Sequence, residues 1–219
     1  MLIASIAACK TYEPLECIDA DGNVYKTVKI DKQYWMQENL RTTRYNNGEP
    51  IKQIISNLEW ASATRPAFCW MLNDSIKYAI ENGAIYNWYV ADTENNGNKN
   101  VCPVGWHVPT SAEWQHLIDY LGGNDVAVPK LQREGTIWSG TKNTNATNSS
   151  GFDAFPSGDR WGYTGSFSNG NEACYWSSSK GGSTNNEAWE FNLTYITNIN
   201  TDEKNNGNSI RCVANSNKN

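Results

Sequence analysis

The chain has 219 residues, a formal net charge of −5 and an isoelectric point near 5.1 from its composition, and 39% of its residues are hydrophobic. This length fits one globular domain, and a mildly acidic chain without a run of Lys and Arg lacks the electrostatic footprint that nucleic-acid binding needs. The chain contains 10 Trp, 11 Tyr and 29 Asn, which predicts a loop-rich protein with side chains suited to recognition.

The amino terminus indicates a targeting signal. Leu2 to Ala8 is an apolar run, far shorter than the roughly 20 residues that span a bilayer. It ends in Ile-Ala-Ala-Cys at Cys9, which resembles a bacterial lipobox, although the basic residues expected upstream are missing. We therefore expect lipidation of Cys9, with residues 1–16 as a truncated lipoprotein signal and tether. The alternative is an apolar terminus with no such role.

The first predicted element is a hairpin. Val24 to Ile30 and Gln33 to Met36 are typical of two short strands, and the two residues between them, Asp31 and Lys32, fit a tight turn. Asp occupies the left-handed conformation of such a turn less readily than Gly does.

The middle of the chain predicts two helices and a loop. Gly83 to Val90 fits a short helix with alternating aromatic and small residues, and Asp92 to Asn100 is a polar loop. Thr110 with Glu113 forms a capping box, and apolar residues at helical spacing from Trp114 onward predict a helix that ends before two consecutive glycines.

The carboxyl-terminal part predicts short strands joined by polar loops. Trp189, Phe191 and Leu193 alternate with polar residues, which predicts a half-buried strand. Ser209 to Val213 predicts the final strand. We expect a single domain over residues 17–213 and a flexible tail over residues 214–219.

Polar side chains are dense in this part of the chain, and their paired donors and acceptors suit adaptable hydrogen bonding to a glycan or a protein. Solvated loops with nothing to bind are the alternative. The composition is also compatible with diversification of residues 172–213 by a retroelement, in which adenine-directed mutation exchanges Asn for Tyr, Ser, Asp, Ile or Thr. The expected ligand-binding residues are Asn185, Asn186, Glu187, Trp189, Glu190, Asn192, Thr194, Tyr195, Thr197, Asn198, Asn200, Asp202, Asn206 and Asn208.

The cysteines favour disulfides in an oxidising compartment. The six Cys stand at positions 9, 17, 69, 102, 174 and 212. With the first reserved for lipid, we expect a Cys102–Cys212 disulfide, worth about 4 to 5 kcal/mol because it closes a long loop. A Cys17–Cys69 disulfide is the second expectation and leaves Cys174 free or buried. The alternative is that all are reduced core residues.

Patterns for metal binding and catalysis are weak. Asp19, Asp21 and Asn23 open like a calcium loop, but Val24 stands where the loop needs Gly and Ile30 where it needs Glu. There is no Cys-x-x-Cys pair and there are only two His, so neither a zinc site nor a Ser-His-Asp relay is expected. We expect no metal, no cofactor and no enzymatic reaction.

Several motifs together resemble the Fibrobacter succinogenes major paralogous domain, a family of bacterial surface and lipoprotein modules. The most specific stretch is Cys-Pro-x-Gly-Trp-His-x-Pro-Thr, from Cys102 to Thr110, followed by the capped helix and by Arg-Cys-Val near the end. The other matching stretches are Asp21-Gly22-Asn23-Val24-Tyr25, Trp35-Met36, Glu38-Asn39-Leu40-Arg41, Phe68-Cys69-Trp70, Tyr86-Asn87-Trp88-Tyr89 and Tyr175-Trp176-Ser177-Ser178-Ser179.

The resemblance implies an α+β, C-type-lectin-like fold related to that of the formylglycine-generating enzyme, with two helices packed on short twisted antiparallel sheets and long irregular loops. In such folds the last Cys often pairs with one near the first helix, and ligands meet the carboxyl-terminal half. The triplets that hold calcium and sugar in calcium-dependent lectins are absent from this sequence.

We therefore expect a non-catalytic, adhesin-like or receptor-like module that binds an extracellular glycan or protein. It would be anchored to the outer membrane or cell surface by lipid alone, or otherwise secreted. An alternative is an oxidoreductase of the formylglycine-generating type, for which Cys174 with Cys212 is the only thiol pair to consider. Another is a structural surface or pilus subunit.

Overall fold

A computed structural model of the chain describes residues 16–138, 145–182 and 184–215, which form a mixed α+β fold as the sequence predicts. Cys9 and the rest of the predicted lipoprotein signal up to residue 15 lie outside the described residues. The helices are α1 (Asn57–Ala61), α2 (Ser75–Asn82), α3 (Ser111–Tyr120) and α4 (Asn124–Leu131). None of these helices has the length and apolar composition that crossing a membrane requires.

The strands form three small sheets. They are β1 (Thr27–Ile30), β2 (Gln33–Met36), β3 (Lys52–Gln53), β4 (Ala67–Trp70), β5 (Ala84–Asn87), β6 (Trp106–His107), β7 (Ala173–Lys180), β8 (Glu187–Leu193), β9 (Thr197–Glu203), β10 (Gly207–Asn208) and β11 (Val213–Ala214). The first sheet has the order β1-β2-β11-β6, the second β10-β5-β4-β3 and the third β7-β8-β9. All pairs are antiparallel except β3 with β4.

The predicted hairpin is confirmed. β1 and β2 pair with Ile30 opposite Gln33, so Asp31 and Lys32 make the two-residue turn. Asp31 has a positive φ of 52°, which is the left-handed conformation that the turn requires. Asp adopts this conformation less readily than Gly does.

The capped helix is confirmed as α3. The Thr110 hydroxyl accepts the backbone N–H of Glu113, and the Glu113 carboxylate accepts the backbone N–H of Thr110, so both halves of the capping box are present. Trp114, Leu117 and Ile118 are buried on the inner face of the helix.

The described residues contain four helices where the resemblance implied two. α4 begins directly after Gly122 and Gly123, which end α3 without ending the helical region. α1 and α2 are short, begin at the capping side chains of Ser56 and Asp74, and are largely exposed. α1 has only five residues, too few to show a helical periodicity, and α2 exposes Ile76 and Ile80 instead of burying them.

The prediction of a helix over Gly83 to Val90 is wrong. Ala84–Asn87 forms β5, the inner strand between β4 and β10, and all four of its residues are buried. Only Trp88–Val90 adopts a helical turn, of the 3-10 type. A short apolar run buried on both faces does not show by its periodicity alone whether it forms a strand or a helix, and here pairing on both sides decides.

The core has two large parts. One surrounds Trp88, Trp106 and Trp176, and the other surrounds Trp114 of α3. The Trp114 ring lies 4.6 Å from the ring of Phe191 in β8, measured between centroids, so the third sheet is fixed against α3. Stacked aromatic rings of this kind contribute about 1 kcal/mol beyond their buried area.

The end of the chain is less regular than predicted. The expected strand over Ser209 to Val213 is extended, but Ser209 bridges to β7, whereas only Val213–Ala214 forms β11. Ala214 pairs with Trp106, and the backbone N–H of Asn215 donates to Gly105, so the ordered fold continues past residue 213, where we expected a tail to begin.

Candidate functional site

A disulfide joins Cys102 to Cys212, as predicted, with the two Cα atoms 6.0 Å apart. The predicted Cys17–Cys69 disulfide is wrong, because Cys69 has a free thiol. Cys69 is buried in a small apolar cluster around Trp60, whereas Cys17 belongs to the core part around Trp88. The positions of Cys17 and Cys69 in the sequence do not show that the two residues lie in different parts of the core.

The candidate site is one face of the third sheet. Opposite residues of antiparallel strands share a face, and the face turned away from α3 holds the cross-strand rows Cys174, Asn192, Asn198 and Trp176, Glu190, Asn200. Asp202, opposite Ala188, extends it, whereas Trp176 and Ala188 on the same face are buried in the core part around Trp88. We call this surface the amide face and define it by its polar residues. They are Cys174, Glu190, Asn192, Asn198, Asn200 and Asp202.

Two segments from outside the sheet extend the amide face. Ser209 pairs in parallel with Tyr175, which places Asn208 beside the row that contains Cys174. Arg160 and Gly207 then exchange backbone hydrogen bonds, which places Asp159 beside Asn208. The edge of the candidate site is thus built from residues about 50 positions apart in the chain.

Glu190 is the buried centre of the amide face. It is 4% exposed, and its two carboxylate oxygens accept hydrogen bonds from the amide groups of Asn200 at 3.0 Å and Asn208 at 2.7 Å. Burial, aided by the negative charge of Asp202, raises the pKa of Glu190 to about 8. With this pKa the carboxyl group is largely protonated at neutral pH, and the two amides hold it in place.

Further oxygens at the site lack donors. Oδ1 of Asp159, of Asn200 and of Asn208 is buried, and none of them has a hydrogen-bond partner among the described residues. Burial raises the pKa of Asp159 to about 6. A buried acceptor without a donor costs about 1 to 3 kcal/mol, so a donor brought to these oxygens, by water or by a ligand, would be stabilising.

Cys174 is not a reactive thiol. It is buried, its sulfur accepts a hydrogen bond from Asn192, and burial together with the nearby Glu190 raises its pKa well above the usual value. Cys212 is bonded to Cys102, so the Cys174 and Cys212 thiols do not form the pair that an oxidoreductase of the formylglycine-generating type would need.

Some of the expected ligand-binding residues do not face this site. Thr197 is fully buried, and its hydroxyl donates to the backbone carbonyl of Asn124 at the start of α4, so its role is structural. Trp189 and Glu187 pair with Thr201 and Glu203 on the opposite face of the sheet. The predicted strand is confirmed as β8. Its alternation separates two faces, but it does not show which of them is the candidate site.

Other expected residues lie in the connections between strands. Asn185 and Asn186 are exposed, and their backbone carbonyls accept hydrogen bonds from Lys204. Thr194 and Tyr195 form the connection between β8 and β9, where Tyr195 is 59% exposed. Asn206 is beside the amide face, because its side-chain amide donates to Asp202.

The sequence analysis missed three neighbours of the amide face. Glu172 accepts a hydrogen bond from Asn192 at 3.4 Å, and Asp159 borders Asn208 as described. Trp161 precedes Gly162, whose backbone N–H donates to the side chain of Asn206. No local sequence pattern predicts these contacts, because they depend on the pairing of segments that are distant in the chain.

His107 has a structural role near the start of α3. Its ring nitrogens contact two side chains, the Glu113 carboxylate at 2.9 Å and Asn215 at 2.7 Å. Burial lowers the pKa of His107, and the hydrogen bond with Glu113 outweighs this, so the net shift is upward. Among the residues that the structure describes, no three His, Cys, Asp or Glu side chains converge closely enough to hold a metal ion.

The buried carboxyl of Glu190 predicts a pH effect on stability. Its pKa rises from 4.5 to about 8 on folding, so the folded state binds the proton more tightly, and this stabilisation is complete below about pH 4.5 and lost as the pH rises through about 8. We expect Glu190→Gln to increase the unfolding free energy at pH 9 by on the order of a few kcal/mol and to change it little at pH 5.

Denaturant unfolding at both pH values measures this difference, with the exposed Glu134→Gln as the matched control. Equal effects of Glu190→Gln at pH 5 and pH 9 would show that Glu190 titrates normally in the folded protein.

The comparisons with known proteins agree with the motifs noted in the sequence. The family model described as the Fibrobacter succinogenes major domain matches residues 28–214. No curated protein matches the chain, and no solved structure does. The match covers both the disulfide and the amide face, and the chain therefore belongs to the Fibrobacter succinogenes major domain family.

Proposed function

We propose that the chain is a non-catalytic, adhesin-like or receptor-like module that binds an extracellular glycan or protein through the amide face. The observation that carries this proposal is the set of buried acceptor oxygens without donors around Glu190. Asn192 and Asn198 flank them and are half-buried and exposed, respectively, so a ligand can reach this part of the surface.

The chemistry of the amide face favours binding over catalysis. Its thiol is protonated, because burial raises the pKa of Cys174, and its central carboxyl is held by two amides. These groups offer hydrogen-bond acceptors at fixed positions but no activated nucleophile. Adaptable polar contacts of this kind are typical of recognition surfaces.

We propose that the architecture is C-type-lectin-like. The α+β fold, the irregular stretch over residues 145–172, and the disulfide from the segment before α3 to the residue before the last strand support this assignment. In such an arrangement the carboxyl-terminal strands and their connections present the ligand surface. Diversification of residues 172–213 would then alter the amide face while leaving α3 unchanged.

We also propose a location in the cell envelope, through lipid at Cys9 or by secretion. The Cys102–Cys212 disulfide supports it, because such bonds persist in oxidising compartments. Metabolic labelling of the full chain with a fatty-acid analogue, compared with Cys9→Ser, tests the anchor.

Array binding tests the proposed function. Residues 17–219 are applied to arrays of glycans and extracellular proteins, and the strongest hit is measured in solution. We expect Asn192→Ala with Asn198→Ala to abolish this binding and to shift Tm by only a few degrees, because surface changes are usually small in energy.

The matched control is Asn47→Ala with Asn95→Ala, which removes two exposed amides from other parts of the surface. The control should bind like the parent chain. Retained binding by the amide-face variant, or its unfolding, would contradict the assignment of the ligand surface.

A further inference from the structure

Three carboxylates and the buried carboxyl group of Glu190 lie around the amide face, and none of the four has a basic partner among the described residues. Asp159, Glu172, Glu190 and Asp202 all act electrostatically on Cys174. No Lys, Arg or His among residues 16–138, 145–182 and 184–215 makes an ion pair with any of the four. Some carboxylates elsewhere, such as Asp21 and Asp153, do have such partners.

Buried acceptors lie beside these acidic side chains. Asn208 is fully buried, and its amide nitrogen bonds Glu190, yet its Oδ1 has no donor among the described residues. Asp159 is 8% exposed, and its Oδ1 also has no donor among the described residues. Negative charges and acceptor oxygens together complement a group that is positively charged and carries several N–H donors.

The spacing of the carboxylates disfavours a metal ion as that group. No three of them converge closely enough to hold one, as noted above for the described residues. Asp202 and Glu172 lie near opposite ends of the face, because Asp202 pairs with Ala188 while Glu172 precedes Ala173, which pairs with Leu193. A ligand that reaches both must be extended and carry more than one positive charge.

An aromatic pair stands at the Asp202 end. The rings of Trp161 and Tyr163 stack with centroids 6.0 Å apart and planes 10° apart, and the side chains are 39% and 71% exposed. Asn206 connects this loop to Asp202, since it accepts from Gly162 and donates to Asp202. Exposed aromatic faces beside carboxylates favour Lys and Arg through cation–π contacts.

We infer that the amide face binds a Lys- or Arg-bearing segment of a protein ligand. Its cationic side chains reach Asp202 and Glu172, and the side chain at Asp202 also packs on the rings of Trp161 and Tyr163. This inference rests on the proposed binding function and narrows its ligand class from glycan or protein to a basic protein segment.

The test uses hexa-lysine, hexa-arginine and the neutral hexa-citrulline with residues 17–219, measured by calorimetry at low and high salt. We expect the two cationic peptides to bind and hexa-citrulline to fail. We expect Glu172→Gln with Asp202→Asn to weaken binding by about tenfold or more, and added salt to weaken it further. Trp161→Ala should also weaken binding.

The matched control is Asp119→Asn with Glu134→Gln, which removes the same charge from other parts of the surface. Equal loss of affinity in the control would mean non-specific attraction to net charge and would overturn the inference. Array binding of a neutral glycan that requires Asn192 and Asn198 but is insensitive to Glu172→Gln with Asp202→Asn would overturn the inference and leave the proposed function standing. No amide-face-dependent binding to either probe set would overturn both.

Discussion

Replacement of Cys102 and Cys212 together by Ala is expected to destabilise the protein by about 4 to 5 kcal/mol, because the crosslink spans 110 residues and its loss frees the unfolded chain. For a domain of this size, such a loss corresponds to a Tm lower by about 10 °C or more. Thermal unfolding followed by circular dichroism measures the difference between the parent chain and the double variant.

A reducing agent provides the control. It should lower the Tm of the parent chain toward that of the double variant and leave the double variant unchanged. Cys69→Ser, which alters a buried thiol outside the disulfide, should not abolish this response to reduction. A parent chain whose Tm ignores complete reduction, verified by thiol labelling after unfolding, would show that the disulfide adds nothing to stability.

The second large effect is expected for Arg211, which is 1% exposed. Its guanidinium donates to Oδ1 of Asn39 and to the backbone carbonyls of Phe152 and Asp153, and it lies 4.4 Å from the centre of the Phe152 ring. Arg211→Met would leave these acceptors buried without donors, at an expected cost of about 3 to 5 kcal/mol in unfolding free energy.

Denaturant unfolding measures this cost. Arg211→Lys should recover only part of it, because an ammonium group cannot replace the planar fork of donors. Arg44→Met is the control, since Arg44 is exposed and its surface ion pair with Asp21 should contribute about 1 kcal/mol or less. An Arg211→Met variant as stable as the Arg44→Met variant would contradict the role of Arg211.

Local signals predicted the elements that depend on neighbouring residues. The capping box of Thr110 and Glu113 and the turn at Asp31 are satisfied within a few residues, so the sequence pattern suffices to find them. The Cys102–Cys212 disulfide is not local, and its prediction depended on the long loop that it closes and on the family resemblance.

Features that depend on distant segments were predicted poorly. The sequence pattern predicts a helix where β5 lies, because the local residues do not show the pairing with β4 and β10 that makes this segment a strand. In the candidate site, the register of three strands decides that Cys174 of β7 and Asn198 of β9 stand on either side of Asn192, and no local pattern contains this information. Asp159 enters the site only through the pairing of Arg160 with Gly207.

The two buried arginines differ from the acidic surface in their response to salt. Like Arg211, Arg160 donates to neutral acceptors, the backbone carbonyls of Ile54, Ile55 and Gly165 and the Asn57 side chain. Ionic strength screens exposed charges far more than buried hydrogen bonds. A high-salt wash should therefore elute a basic ligand from the immobilised protein while the surface that held it keeps its shape, so the same column can be loaded again.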